Sequence, residues 1–113
     1  MNDKNEANKY VEKAIVHREC TLTGNYRRGN IAASYIEKIN EKLLNGKKEN
    51  AYCFIDKVLC SDNPNAIMWI VPVCIALEYR VEFIESKLRT YSMDKSLGIL
   101  SFNASMLLKS IKV

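Results

Sequence analysis

The chain has few of the residues that most protein chemistry needs. Among 113 residues there is one histidine, His17, and there are two prolines, Pro64 and Pro72. The four glycines, Gly24, Gly29, Gly46 and Gly98, stand singly, so no glycine-rich phosphate loop can be assembled from them. Four cysteines, Cys20, Cys53, Cys60 and Cys74, lie far apart with no Cys-x-x-Cys pair, and one His with scattered Cys gives no cluster at zinc spacing. On a helix, Cys53 and Cys60 would sit two turns apart, about 10 Å in rise and too far for a bridge to each other. The expectation is four reduced thiols acting as small core residues. No charge sign dominates: 17 Lys/Arg face 13 Asp/Glu, a net charge of +4. Residues 1–50 carry 10 basic and 7 acidic side chains and residues 51–113 carry 7 and 6, so no basic tail stands apart. That is not the excess of a dedicated nucleic-acid binder. Met1 to Lys9 is polar and lacks the apolar core of a signal peptide, and no apolar run reaches the roughly 20 residues that cross a bilayer. These absences lead us to expect a cytoplasmic protein with no membrane span, metal or cofactor.

What the chain does have is apolar bulk, 48% of residues, in a length that suits one domain over 1–113. The longest apolar run is Ala66 to Leu77, twelve residues inside the stretch Ser61–Tyr79. Periodicity cannot tell a buried helix from a buried strand in such a run. Asn63 as a cap, Pro64 at the first helical position and Pro72 in the interior all favour helix over central strand. The spacing predicts a helix from Pro64 to Glu78, bent at Pro72 and apolar on every side, hence enclosed on every side.

The remaining segments repeat the helical period. Residues 3–21 place Ala7, Tyr10, Val11, Ala14, Ile15 and Arg18 on one face, with Asp3 and Glu6 spaced as a capping box and Gly24 ending the helix. A second helix, Tyr26 to Leu44, carries Ile31, Tyr35, Ile36, Ile39 and Leu43 inward and is stopped by Asn45-Gly46. Ala51, Phe54, Ile55, Val58 and Leu59 form the stripe of a third helix ending near Cys60. A fifth runs from Arg80 to Thr90 through Val81, Ile84 and Leu88. Neither Gly nor Pro separates it from the fourth; the break is inferred because one helix from Pro64 to Tyr91 would be too long for so small a domain. A sixth, Lys95 to Lys112, buries Leu97, Leu100, Ala104, Leu107, Leu108 and Ile111. No stretch alternates at period two. The fold class is therefore all-α: about six antiparallel helices stacked in pairs.

The order of these signals resembles the small bacterial all-α domains of the HEAT/armadillo type. These include immunity proteins found beside contact-dependent inhibition and polymorphic toxins. The matching features are the Tyr10 helix, Gly24-Asn25-Tyr26 leading to Asn30, and the Asp62-Asn63-Pro64 entry. They continue with the inner helix containing Pro72 and the ending Ala104-Ser105-Met106-Leu107-Leu108. The inner helix departs from the pattern, with Met68 and Trp69 where HEAT-type units often carry a basic residue. The resemblance implies a right-handed helical stack that works as an adaptor surface and not as an enzyme. Its partner would be a cognate toxin C-terminal domain, bound by a monomer to form a heterodimer. Inhibitors of nucleases tend to be acidic, and this chain is net basic. Inhibition would then rest on a local acidic ridge, on a toxin that is not a nuclease, or on contact away from its active site.

Three groups of residues compete for function. His17 and Cys20 lie three apart, a spacing that lets a nucleophilic pair share a helix face, but without a local signature they read as an exposed histidine and a half-buried thiol. Arg18, Arg27, Arg28, Lys47 and Lys48, with Tyr26 and Tyr35 among them, give the mix of a nucleic-acid surface, balanced by Glu19, Glu37 and Glu41. Glu78, Glu82 and Glu85 would fall within about 60° of one another on a continuous helix, making an acidic ridge. Tyr79 and Phe83 lie beside it, Tyr91 closes the segment, and Arg89 is placed to pair with Glu85. Carboxylates bracketed by aromatics suit a basic protein partner, since charge steers the encounter and aromatics anchor it. Glu78, Tyr79, Glu82, Phe83, Glu85 and Tyr91 are the expected binding residues.

Overall fold

A computed structural model describes the backbone of residues 3–111 and the side chains of residues 5–111. It consists of α1 (Asp3–Thr23), α2 (Tyr26–Asn45), α3 (Lys48–Cys60), α4 (Pro64–Leu77), α5 (Val81–Met93), a 3-10 turn (Lys95–Leu97) and α6 (Ile99–Ile111). No strand occurs among the described residues. The Asp3 side chain of the expected capping box, and Lys112 at the end of the expected sixth helix, lie outside the described residues. The chain divides into two compact units, Met1–Val73 and Cys74–Val113, with the boundary inside α4.

In the first unit, α1, α2 and α3 pack on one another. The helices start and stop where local chemistry tells them to. Gly24 takes φ 80 after α1, and the Asn25 side chain accepts from the Arg28 N–H to open α2. The α1–α2 approach is close at Gly29, where an added Cβ would stand 3.1 Å from the Cys20 Cβ. The inward face of α2 is therefore centred on Gly29, Ala32 and Ile36. Ile31, expected inside, is 61% exposed, because it lies one residue, about 100°, round from Ala32. Tyr10 is fully buried and packs edge-on against Phe54 at 5.4 Å. Its hydroxyl donates to Asn40 Oδ1 at 2.9 Å, and Asn40 Nδ2 donates to the Trp69 carbonyl at 3.0 Å. One relay thus satisfies two polar groups and ties α1 and α2 to α4.

Asn63 and Pro64 open α4 as the sequence implies: Asn63 Oδ1 accepts from the Ala66 N–H at 3.2 Å. Ala66, Ile67, Ile70, Val71, Val73 and Cys74 are buried. The expected complete enclosure does not hold, however. Pro72 and Ala76 are exposed, and Met68, Trp69, Ile75 and Leu77 are half-buried. Continuous apolarity concealed an ordinary one-sided helix whose outer face carries Pro72. A missing helical hydrogen bond is cheapest there, since water can reach the carbonyl it leaves unpaired. The cysteines divide in the same way: Cys20 and Cys74 are buried, but Cys53 and Cys60 are exposed. Those two do share a helix face, but it is the outer face of α3.

In the second unit, α5 packs on α6. Ile84, Leu88 and Tyr91 on α5 and Leu100, Ser101 and Ala104 on α6 are buried. The buried Ser101 hydroxyl is satisfied by donating to the Ser92 carbonyl at 3.0 Å. The expected sixth helix is shorter than its apolar pattern. Asp94 Oδ1 accepts from the Ser96 N–H to start a 3-10 turn, and Gly98, at φ 63 and ψ −128, ends it before α6. Only glycine adopts that backbone readily, so Gly98 fixes the start of α6.

Candidate functional site

The expected binding residues all belong to the second unit, and the turn after α4 decides how they are arranged. The Glu78 N–H donates to the Ile75 carbonyl at 3.1 Å and the Tyr79 N–H to the Cys74 carbonyl at 2.9 Å. This paired pattern closes a helix with a left-handed residue, here Glu78 at φ 53. Arg80 is left-handed as well, at φ 58, and no side-chain hydrogen bond from it caps the start of α5. The continuous helix that would align Glu78 with Glu82 and Glu85 is therefore absent. Glu82 and Glu85 stay three residues apart on α5, and Glu78 stands outside that helix.

The electrostatics differ from an acidic ridge. Arg89 Nη2 donates to Glu85 Oε2 at 2.9 Å. The Arg80 guanidinium lies 5.0 Å from the Tyr79 ring centroid, and Lys87 Nζ lies 5.6 Å from that of Phe83. Three cations are thus interleaved with three carboxylates, and both aromatic faces carry a cation. The segment is charge-balanced, so it offers little long-range steering. Glu78, Glu82 and Phe83 are exposed, Tyr79 and Glu85 are half-buried, and Tyr91 is 6% exposed. Tyr91 therefore serves the core of the unit rather than its surface.

Sequence reasoning missed a second group. Ile99, Phe102 and Met106 are 56%, 60% and 52% exposed on α6. Their i, i+3, i+7 spacing puts them within about 60° of one another. Lys109 is the only charged residue of α6. The signal was present in the sequence: once Leu100 and Ala104 are assigned to the core, with Leu107, Leu108 and Ile111 on their side of the helix, Ile99, Phe102 and Met106 make a second stripe. A helix with two apolar faces has one more than its own unit needs. Met93, at the end of α5, is 81% exposed.

The first unit holds the competing groups. His17 is half-buried and meets Trp69 edge-on at 5.3 Å, while Cys20 is 3% exposed against α2. The imidazole has an aromatic neighbour and the thiol is sealed, so the two are not presented together as a nucleophilic pair. Lys9 and Lys13 of α1 place their ammonium groups 5.6 Å and 5.7 Å from the Tyr35 ring centroid. Beside the ring, a shallow hollow of about 390 Å³ is lined by Asn30, Ile31, Ser34, Tyr35 and Lys38. Desolvation first, and the Glu6 carboxylate second, raise the Tyr35 hydroxyl above its ordinary pKa. This group therefore supports folding fully below the unfolded tyrosine's range and loses that contribution as pH rises through the higher folded value. Tyr26, Arg27 and Arg28 are exposed at the head of α2.

Among the described residues, no three His, Cys, Asp or Glu side chains gather as a metal site, and no helix is long and apolar enough to cross a membrane. Fold and surface together define an all-α protein of packed helix pairs with outward apolar side chains. Comparison with family models, with known proteins and with solved structures finds no match.

Proposed function

We propose that this chain is a protein-binding module and, following the resemblance in its sequence, an immunity protein that neutralises a cognate bacterial toxin domain. It would act in the cytoplasm, by contact alone, as one copy bound to one toxin domain. Its helix pairs would be of the HEAT/armadillo kind. The observation that carries the reading is the outward apolar set of the second unit: Phe83, Ile99, Phe102 and Met106, each more than 40% exposed. Exposed apolar side chains that share a helix face mark sites of association, and buried aromatics supply most of the binding energy at protein interfaces. Glu78 and Glu82 would form the polar rim, and Glu85, already paired with Arg89, would contribute least.

The test is genetic and then biochemical. A toxin-like domain encoded beside this chain should co-purify with it, and cells expressing the chain should resist that toxin. Phe102→Ala should weaken binding at least tenfold without unfolding the protein. If no adjacent toxin-like domain exists and no resistance is gained, the proposal fails. Charge reversal at Glu82 should weaken binding more than charge reversal at Glu85, which is already paired with Arg89; unchanged affinity at both would move the interface elsewhere.

A second reading, a nucleic-acid-binding helical module, is favoured by the two lysines over Tyr35 and by exposed Tyr26, Arg27 and Arg28. Stacking of a base on Tyr35 would have to displace ammonium groups already on the ring, which weakens this reading. Binding that falls steeply with salt would support it, and none at moderate salt would remove it.

A further inference from the structure

The breaks between consecutive α-helices are encoded unequally. The α1–α2 break carries Gly24, the α2–α3 break Gly46, and the α5–α6 break Gly98; the α3–α4 break is followed by Pro64 at the first position of α4. The α4–α5 break, Glu78-Tyr79-Arg80, has neither residue type, and none occurs anywhere from Val73 to Leu97. Leu77, Glu78, Arg80 and Glu82 are ordinary helix formers. Yet Glu78 and Arg80 adopt φ 53 and φ 58, the left-handed region that non-glycine residues enter only when something else requires it. The first turn of α5 also lacks a side-chain cap from Arg80.

We propose that Glu78–Arg80 is a hinge through which the end of α4 and α5 straighten into one helix from Cys74 to Met93. Straightening returns both left-handed residues to the right-handed region. It also gives the N–H groups of Val81, Glu82 and Phe83 the carbonyls of Leu77, Glu78 and Tyr79 as partners. The bent form is the one the structure shows, with Ile84, Leu88 and Tyr91 of α5 buried. In the straight form Glu78 comes within about 60° of Glu82 and Glu85, so the acidic ridge exists only there. A basic partner would select that form; this last consequence rests on the protein-binding reading, and the hinge does not.

The test uses the full chain with no partner, so it stands or falls separately from the proposed function. Relaxation-dispersion NMR at the amides of Glu78, Tyr79 and Arg80 should detect exchange with a minor state having helical shifts. The Glu78→Gly/Arg80→Gly double variant, which relieves the bent form, should suppress that exchange. Arg80→Val, which disfavours the left-handed region, should instead lower the HN–Hα coupling of Glu78 towards its right-handed helical value. Flat dispersion with an unchanged Glu78 coupling in Arg80→Val would overturn the proposal. So would a minor state with coil shifts.

Discussion

The turn after α3 and the turn after α4 begin alike and are held by different forces. Each helix ends in a left-handed non-glycine residue, Asp62 at φ 52 and Glu78 at φ 53. After Asp62 the sequence completes the turn itself. Asn63 caps the Ala66 N–H, and Pro64 both suits the first helical position and keeps the helix from running through Asn63. After Glu78 comes Arg80, also left-handed, with no side-chain cap and no proline. The first turn is written locally; the second has no such residue, and the helix that follows it is held by its buried core. Two turns of similar backbone can therefore respond oppositely to substitution.

The largest expected effect concerns that packing. Leu88, fully buried on α5, should cost about 2–5 kcal/mol when cut to Ala, measured by denaturant unfolding. A loss well under 1 kcal/mol would mean that the α5 core does not hold the second turn. Gly98→Ala comes next, at about 1–3 kcal/mol, because alanine must adopt the φ 63, ψ −128 backbone that starts α6. Asn63→Ala should cost about 1 kcal/mol by leaving the Ala66 N–H uncapped, whereas Arg80→Ala, which removes no cap, should cost less. Equal losses at the two positions would erase the distinction between the turns. Phe102→Ala should change stability by no more than about 0.5 kcal/mol, since its side chain is 60% exposed, and its effect should appear in binding.

How much the sequence disclosed follows from the same contrast. Where a break is local chemistry, as at Gly24-Asn25 or Asn63-Pro64, helix ends could be read from single residues. At Glu78-Tyr79-Arg80 only chain length hinted at a break, and the acidic ridge was drawn on a helix that is not continuous there. Burial was legible where polar residues flank an apolar stripe, as on α3. It was not legible on α4, where apolar residues occupy every face and period alone cannot say which one is inside; on α6 the expected core positions Leu100 and Ala104 are buried. Pro72 and Ala76 are exposed against expectation, and the outward stripe of Ile99, Phe102 and Met106 is visible only once the core face of α6 is known. An aromatic at a helix end, such as Tyr91, looks the same in sequence whether it faces inward or outward.

Replacing Glu78 by glycine tests most directly whether packing holds the second turn against local preference. Relief of a left-handed side chain gives about 1–2 kcal/mol, and the greater freedom of glycine in the unfolded chain takes back about 0.5–1 kcal/mol. Equilibrium unfolding should therefore show Glu78→Gly at least as stable as the parent, by up to about 1.5 kcal/mol. A variant less stable than the parent would mean that the Glu78 side chain itself holds the turn, contrary to this account.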